Sequence, residues 1–349
     1  ENLNDKNRII LEIRSGSHLY GTNNPDSDID YLGVFIPSYF NYLTSREYIK
    51  EMDLSIKSKQ NNGKNDKDAI DRKFYSYANF IHLLTENNPN ILEMVFVNKE
   101  NIISIDEFGQ NLLNNKHLFP HKGLVKRFIG YSNQQSHKME IKTDKYNEMN
   151  IILAYLETVD PKKIVAELQY DNEFIKVLNK CETQEIKQDN KLKKVIRLSE
   201  DYLTIGDINI PMNVYIKNAK DRIKTRLSVA TNRNELISKY GYDCKFGAHL
   251  VRLLIEGRDF LKYGEIQFPL RDREMILDIR NGKHTVQDIF NFRDNLLLEI
   301  AELEKTSKLP DAPDMKKIFD FVDFEMKKVS EFQYIYASDK NNLYHYFDY

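Results

Sequence analysis

The spacing of apolar and polar residues predicts strands at the start of the chain. Residues 8–14 form a short isoleucine-rich run that ends at a Ser-Gly-Ser sequence, which is typical of a strand followed by a turn. Residues 28–37 form a second apolar run closed by proline, and residues 71–75 predict a third strand. Ser76 would then cap a helix that runs to about Glu86, and another helix is expected over residues 91–97.

The pattern changes to helical periodicity from about residue 120. Apolar residues there recur with a period near 3.6 residues, which is typical of amphipathic helices. The predicted helices are residues 121–138, 147–156, 161–177, 218–239, 245–263, 286–303 and 315–333. Two segments differ: residues 50–68 are rich in Lys, Asn and Asp and predict a hairpin tip or mobile insertion, and the β-branched stretch 194–210 predicts a small β insertion.

This pattern predicts an α+β fold with two domains. An α/β domain is expected over residues 1–118, and a mostly helical domain over residues 119–349 with its β insertion at about 190–212. A chain of 349 residues is long enough for each domain to bury its own core.

Composition excludes several classes of protein. The chain has 51 Lys and Arg against 53 Asp and Glu, a formal charge of −2, which disfavours a protein that coats nucleic acid through bulk charge. No stretch approaches the roughly 20 apolar residues of a membrane span. Cys181 and Cys244 are far apart and form no zinc-binding spacing with the histidines, so a reduced, cytoplasmic setting is expected.

Candidate chemistry concentrates between the first two predicted strands. Gly16 and Ser17 lie where a strand meets a short helix, and free backbone N–H groups there, with a hydroxyl, suit a phosphate. Asp28 and Asp30 have the two-residue spacing that directs strand side chains to one face, so their carboxylates would converge and attract Mg²⁺. Either motif alone also fits an ordinary turn or a solvated strand end. Together they predict a site for a metal-bound nucleoside triphosphate.

These residues resemble the signature of the DNA-polymerase-β-like nucleotidyltransferases. The similarity is closer to the predicted nucleotidyltransferases of the RNA-repair-pathway (RlaP-like) type. The matching positions are Gly16, Ser17, Tyr20, Gly21, Ser27, Asp28, Asp30, Gly33 and Val34. Weaker similarity extends to an Asn-Pro-x-x-x-Glu segment at Asn88–Glu93 and to two C-terminal segments at residues 245–254 and 279–283. The resemblance implies a mixed sheet in the N-terminal domain and a helical domain that closes over the cleft.

The resemblance also implies roles for individual residues. Asp28 and Asp30 would hold two Mg²⁺ ions, or Mn²⁺, while Gly16 and Ser17 bind the triphosphate. The family's third carboxylate falls on Asp71, with Asp68 as the alternative because the insertion before it makes the register ambiguous. A solvated aspartate at the start of a strand would have the same sequence.

A stripe of charged residues on one predicted helix suggests the phosphate-binding wall of the cleft. Lys245, His249, Arg252 and Glu256 advance by four, three and four residues, so they share one face. The first three are candidates for nucleotide binding, and Arg280 for phosphate or nucleic-acid binding. The alternative is a plain surface helix with an Arg252–Glu256 ion pair.

The resemblance implies template-independent transfer of NMP from an NTP to a hydroxyl acceptor, with an RNA or tRNA 3′ end favoured. Protein-hydroxyl modification, and a catalytically inactive nucleotide- or RNA-binding module, are the alternatives, and a homo-oligomer is possible. Residues 126–138 combine aromatic and polar groups suited to a base, although a plain packed helix explains most of that pattern. A basic helix from Asn218 equally fits an RNA backbone or a solvated face.

Overall fold

The described part of the chain has the predicted α+β fold. The computed structural model describes residues 7–24, 27–37, 49–56, 70–181, 186–188, 191–193, 198–199, 201–206, 208–228, 237 and 239–338. A mixed five-stranded sheet lies in the N-terminal part, and helices dominate the remainder.

The sheet is built from the first hundred residues. Its strands are β1 (Asn7–Ser15), β2 (Asp30–Pro37), β3 (Glu51–Asp53), β4 (Asp71–Ser76) and β5 (Ile102–Ile105), in the spatial order β3-β4-β2-β1-β5. Strands β2 and β4 are parallel, and the other neighbouring pairs are antiparallel. The accompanying helices are α1 (Gly16–Tyr20), α2 (Tyr77–Thr85), α3 (Pro89–Val95) and α4 (Glu107–Asn114).

Longer helices follow the sheet. They are α5 (Leu124–Leu156), α6 (Asn172–Cys181), α7 (Ile216–Ser228), α8 (Cys244–Tyr263), α9 (Arg273–Arg280), α10 (Val286–Thr306) and α11 (Met315–Ser338). Two small antiparallel ribbons lie between α6 and α7, in the region of the predicted β insertion. They consist of β6 (Ile186–Gln188) with β7 (Lys191–Lys193), and β8 (Tyr202–Ile205) with β9 (Ile208–Pro211).

Several predicted boundaries are wrong. Strand β2 begins at Asp30, so Asp28 precedes the strand and does not share its regular alternation. Helix α5 runs through both helices predicted at 121–138 and 147–156, because no glycine or proline interrupts residues 139–146. The helix predicted over 161–177 is a 3-10 segment at Val165–Tyr170 followed by α6.

Other elements were not predicted or lie outside the described residues. The sequence pattern did not predict β5, α4 and α9, which are all short. Residues 50–56 contain β3, whereas 57–69 lie outside the described part of the chain together with Asp68. The predicted helix 218–239 begins with α7, and residues 229–236 also lie outside.

The buried residues form two clusters. The larger joins the sheet to α8 and α10, and Phe260 of α8 packs edge-on against both Phe96 and Phe128. The smaller surrounds the C-terminal half of α5 with α6, α7 and the β8–β9 ribbon. Helix α8 therefore fixes the position of the helical part against the sheet. None of the described helices is both long and apolar enough to cross a membrane.

Candidate active site

The predicted carboxylates meet at one edge of the sheet. Ser15, the last residue of β1, pairs with Asp30, and Asp30 pairs with Asp71 at the start of β4. Because β2 and β4 are parallel, both strands begin at this edge, next to the turn into α1. A cleft of about 670 Å³ opens there, and all eight predicted site residues line it: Gly16, Ser17, Asp28, Asp30, Asp71, Lys245, His249 and Arg252.

Gly16 allows the Asp30 carboxylate to approach the backbone. The φ angle of Gly16 is +63°, in the left-handed region that favours glycine. A Cβ atom at this position would lie 2.3 Å from Asp30 Oδ2, far inside van der Waals contact. The glycine is therefore required both by its backbone conformation and by the carboxylate that lies against it.

Three negative charges influence one another at this edge. Burial, followed by the charges of Asp71 and Asp28, raises the pKa of Asp30 to about 6, and Lys245 and Arg280 oppose that rise. Asp28 precedes β2 and is exposed, but it lies close enough to Asp30 to raise the pKa of that residue. Asp71 is also exposed, and its Oδ1 accepts a hydrogen bond of 2.8 Å from Ser55 Oγ. A raised carboxyl pKa at neighbouring aspartates indicates a place that a cation would stabilise.

The side chains of Asp28, Asp30 and Asp71 are of the chemical type that binds a hard divalent cation. All three side chains are carboxylates, the ligand type that Mg²⁺ and Mn²⁺ prefer. Among the described residues, however, no group of three or more His, Cys, Asp or Glu side chains is arranged to hold a metal ion. Asp28, Asp30 and Asp71 would therefore have to draw together around an ion.

Positive side chains lie across the cleft from these carboxylates. Lys245, in the first turn of α8, is half-buried and acts on Asp30, while His249 is exposed one turn later. Arg280, at the end of α9, donates from Nη1 to the Thr22 carbonyl oxygen at 2.9 Å. Burial lowers the pKa of Arg280, and the charges of Asp28 and Asp30 oppose that change. The cleft thus combines a carboxylate edge with a cationic wall.

Arg252 lies deeper than its neighbours on α8. Only 4% of the residue is exposed, and its guanidinium stacks 4.3 Å above the centre of the Tyr20 ring. Its Nη1 donates to Glu93 and, at 2.7 Å, to Oε1 of Glu256, while the Tyr20 hydroxyl donates to Glu93 Oε2 at 2.7 Å. The predicted i,i+4 ion pair exists, but it is buried. Protein carboxylates therefore balance the charge of Arg252 at the floor of the cleft.

Other residues that line the cleft had no assigned role in the sequence analysis. Lys73 and Tyr75 follow Asp71 along β4, and Glu93 lies at the floor. Helix α5 contributes four polar side chains: Tyr131, Gln134, Gln135 and Lys138. The sequence favoured base binding by residues 126–138, but it could not show that this face of α5 lines the same cleft as the aspartates.

The fold and this cleft agree with one class of protein. A mixed sheet whose first turn carries Gly16 and Ser17, with Asp28 just before the next strand and Asp30 at its start, agrees with the resemblance to polymerase-β-like nucleotidyltransferases. Residues 2–163 match the RNA repair pathway DNA polymerase beta family, RlaP, so this part of the chain is similar to that family. This similarity suggests nucleotidyltransferase activity.

A second comparison extends over most of the chain. The sequence is similar to an uncharacterized 38.9 kDa protein from the nrdC–mobD intergenic region of Enterobacteria phage T4. The two are 23% identical over 306 residues, which cover 84% of this chain and 88% of the phage protein. No solved structure matches the chain.

Proposed function

We propose that the protein is a template-independent nucleotidyltransferase that transfers NMP from an NTP to a hydroxyl acceptor, an RNA or tRNA 3′ end, and releases pyrophosphate. The observation that carries the proposal is the Asp30 carboxylate, seated against Gly16 and in register with Asp71. Lys245 and Arg280 act on the same carboxylate from the opposite wall. The match of residues 2–163 to the RNA repair pathway DNA polymerase beta family supports the same reaction class.

In the proposed reaction, the attacking hydroxyl oxygen forms a bond to the α-phosphorus. The bond between that phosphorus and the oxygen bridging to the β-phosphate breaks, and pyrophosphate leaves with the electron pair. Asp71 would accept the hydroxyl proton, and Lys245, with His249 beside it, would stabilise the charge on the leaving phosphates. The Gly16–Ser17 turn would bind and orient the triphosphate.

Divalent metal belongs to this proposal. Asp28, Asp30 and Asp71 would hold Mg²⁺ or Mn²⁺, which supplies charge neutralisation and Lewis acidity to phosphoryl transfer. Burial, followed by the charges of Asp71 and Asp28, raises the pKa of Asp30, and a bound cation would offset that cost of ionisation. Metal binding should therefore be detectable by calorimetry without any nucleotide.

The direct test supplies the protein and Mg²⁺ with each of the four α-³²P-labelled NTPs and a mixed pool of RNAs. We expect the label on RNA, and alkaline hydrolysis should leave it as the 2′(3′)-phosphate of the nucleotide that was the 3′ end of the acceptor. Label on the protein fraction would favour modification of a protein hydroxyl. Absence of label from every acceptor, with NTP binding retained, would favour an inactive binding module and contradict the proposal.

Gly16→Ala is expected to reduce transfer at least a hundredfold. The new methyl group would overlap the Asp30 carboxylate and force a left-handed backbone on alanine, which together destabilise the fold by about 1–3 kcal/mol. Gly130→Ala is the matched control, because Gly130 lies within α5 and a methyl group there meets no atom within 4 Å. Transfer rates and thermal melting of both variants check the expectation. Wild-type transfer by Gly16→Ala would contradict the assigned contact.

A further inference from the structure

One wall of the cleft, on α5, carries amide and hydroxyl groups and one lysine but no carboxylate. Tyr131, Gln134, Gln135 and Lys138 follow the 3-, 4- and 7-residue spacing that places side chains on one face of α5. All four line the same cleft as the aspartates. Gln135 is half-buried, whereas Gln134 and Lys138 are exposed. In the described part of the chain neither glutamine amide has a hydrogen-bond partner.

Tyr131 is held in place by an unusual contact. Asn88 occupies the N-cap position of α3, but its side chain does not cap that helix. Instead, its Nδ2 donates to the Tyr131 hydroxyl oxygen at 3.0 Å. The hydroxyl therefore keeps its own proton to donate, and no described residue accepts it. A fixed hydroxyl with a spare donor is suited to an acceptor atom on a ligand.

The α5 wall approaches the end of β4 away from Asp71. Asp71, Lys73 and Tyr75 alternate along β4 and all line the cleft. Four residues of strand span about 13 Å, so Tyr75 lies far along the cleft from Asp71. Tyr131 is close enough to contribute to the raised pKa of Tyr75, whose main cause is burial. The two tyrosines therefore mark the end of the cleft away from the carboxylates.

Tyr131, Gln134 and Gln135 carry no charge that would bind phosphate. Lys73 is paired with Glu51 at 2.6 Å, so its charge is already balanced. Amide and hydroxyl groups, in contrast, match the donors and acceptors on the edges of a base, and tyrosine rings offer stacking surfaces. An ordinary solvated helix face would explain Gln134 alone. It does not explain half-buried Gln135 beside a tyrosine fixed from another helix.

We propose that Tyr131, Gln134 and Gln135 bind the nucleobase of the NTP, with Asn88 as the positioning residue for Tyr131. This inference rests on the proposed nucleotidyltransferase function, because it assumes that the triphosphate occupies the aspartate end. It assigns base recognition to α5, whereas the sequence similarity to the family concerned the metal and phosphate residues.

The test separates the base from the phosphates. Equilibrium binding of the four NTPs and of inorganic tripolyphosphate is measured with Mg²⁺ and no acceptor. For wild-type protein, we expect the NTP of highest affinity to bind much more tightly than tripolyphosphate. Gln135→Ala and Tyr131→Phe should each reduce the ratio of NTP affinity to tripolyphosphate affinity by about tenfold. The affinity for tripolyphosphate itself should stay within twofold of the wild-type value. Asn133→Ala is the matched control, since Asn133 is an exposed amide on α5 outside the cleft.

The outcomes distinguish the two proposals. An unchanged ratio in Gln135→Ala and Tyr131→Phe overturns the base site and leaves nucleotidyl transfer standing. Equal binding of NTPs and tripolyphosphate by wild-type protein does the same. A loss confined to RNA oligonucleotides, with NTP affinities unchanged, shows that α5 contacts the acceptor and also overturns the assignment. If the wild-type protein binds none of the four NTPs, both proposals are wrong.

Discussion

Asp30→Asn should abolish nucleotide transfer and, at the same time, make the protein more stable. The carboxylate is the group we propose for metal binding, so its loss should lower transfer by at least a thousandfold. Without metal, the same carboxylate is destabilising, because burial, Asp71 and Asp28 all raise its pKa. An amide of the same shape removes that repulsion. Loss of activity combined with a gain of stability is expected of a site whose charged groups destabilise the fold until a ligand binds them.

The size and pH dependence of the stability gain follow from the pKa of Asp30. A rise from 3.8 to about 6 means that the folded protein holds this proton more tightly than the unfolded chain. The cost of ionising Asp30 is therefore fully present above pH 6 and is lost as the pH falls towards 4. Screening at this half-buried position reduces the effect to about 1 kcal/mol.

Thermal melting at pH 7.5 and pH 4.5 checks this expectation in metal-free buffer. Asp30→Asn should melt above wild type at the higher pH and together with it at the lower pH. Asp320→Asn, at an exposed position on α11, is the control and should match wild type at both. If Asp30→Asn retains transfer, the metal-site assignment fails. If it is less stable at pH 7.5, Asp30 has a structural partner that the geometry does not show.

The sequence predicted the local parts of this site better than the distant ones. Gly16, Asp28 and Asp30 lie within 15 residues of one another, and strand alternation and turn chemistry act over that distance. Even so, alternation wrongly included Asp28 in β2, because the strand begins only where Asp30 pairs with both Ser15 and Asp71. Pairing between strands determines where a strand begins, and periodicity does not report it.

Burial was the property that periodicity could not supply. The stripe on α8 predicted one shared face for Lys245, His249 and Arg252, and all three line the cleft, but the pattern treated them as equivalent. Arg252 differs because Glu93, 159 residues earlier in the chain, reaches the same guanidinium. Two segments that resembled the family separately, around Glu93 and around Arg252, turn out to be joined by this contact. A single sequence shows neither the contact nor the desolvation.

Arg252→Met should destabilise the protein strongly, whereas Lys245→Met should weaken NTP binding. Removal of Arg252 leaves Glu93 and Glu256 buried side by side without their cation, and burial already raises the pKa of Glu256 well above its usual range. Breaking a buried ion pair in this way costs about 3–5 kcal/mol, or roughly 5–10 °C in melting temperature for a chain of this size. Lys245 is half-buried at the cleft, so its removal should lower the melting temperature far less than Arg252→Met and reduce NTP affinity several-fold.

A triple variant separates a structural role for Arg252 from phosphate binding. Arg252→Met combined with Glu93→Gln and Glu256→Gln removes all the buried charge, and such neutral replacements are often close to wild type in stability. If Arg252 acts only by holding Tyr20 and Glu93 at the floor, the triple variant should regain most of the melting temperature and bind NTP nearly normally. Recovered stability with NTP affinity still low would instead show that the guanidinium itself binds phosphate, as the stripe on α8 first suggested.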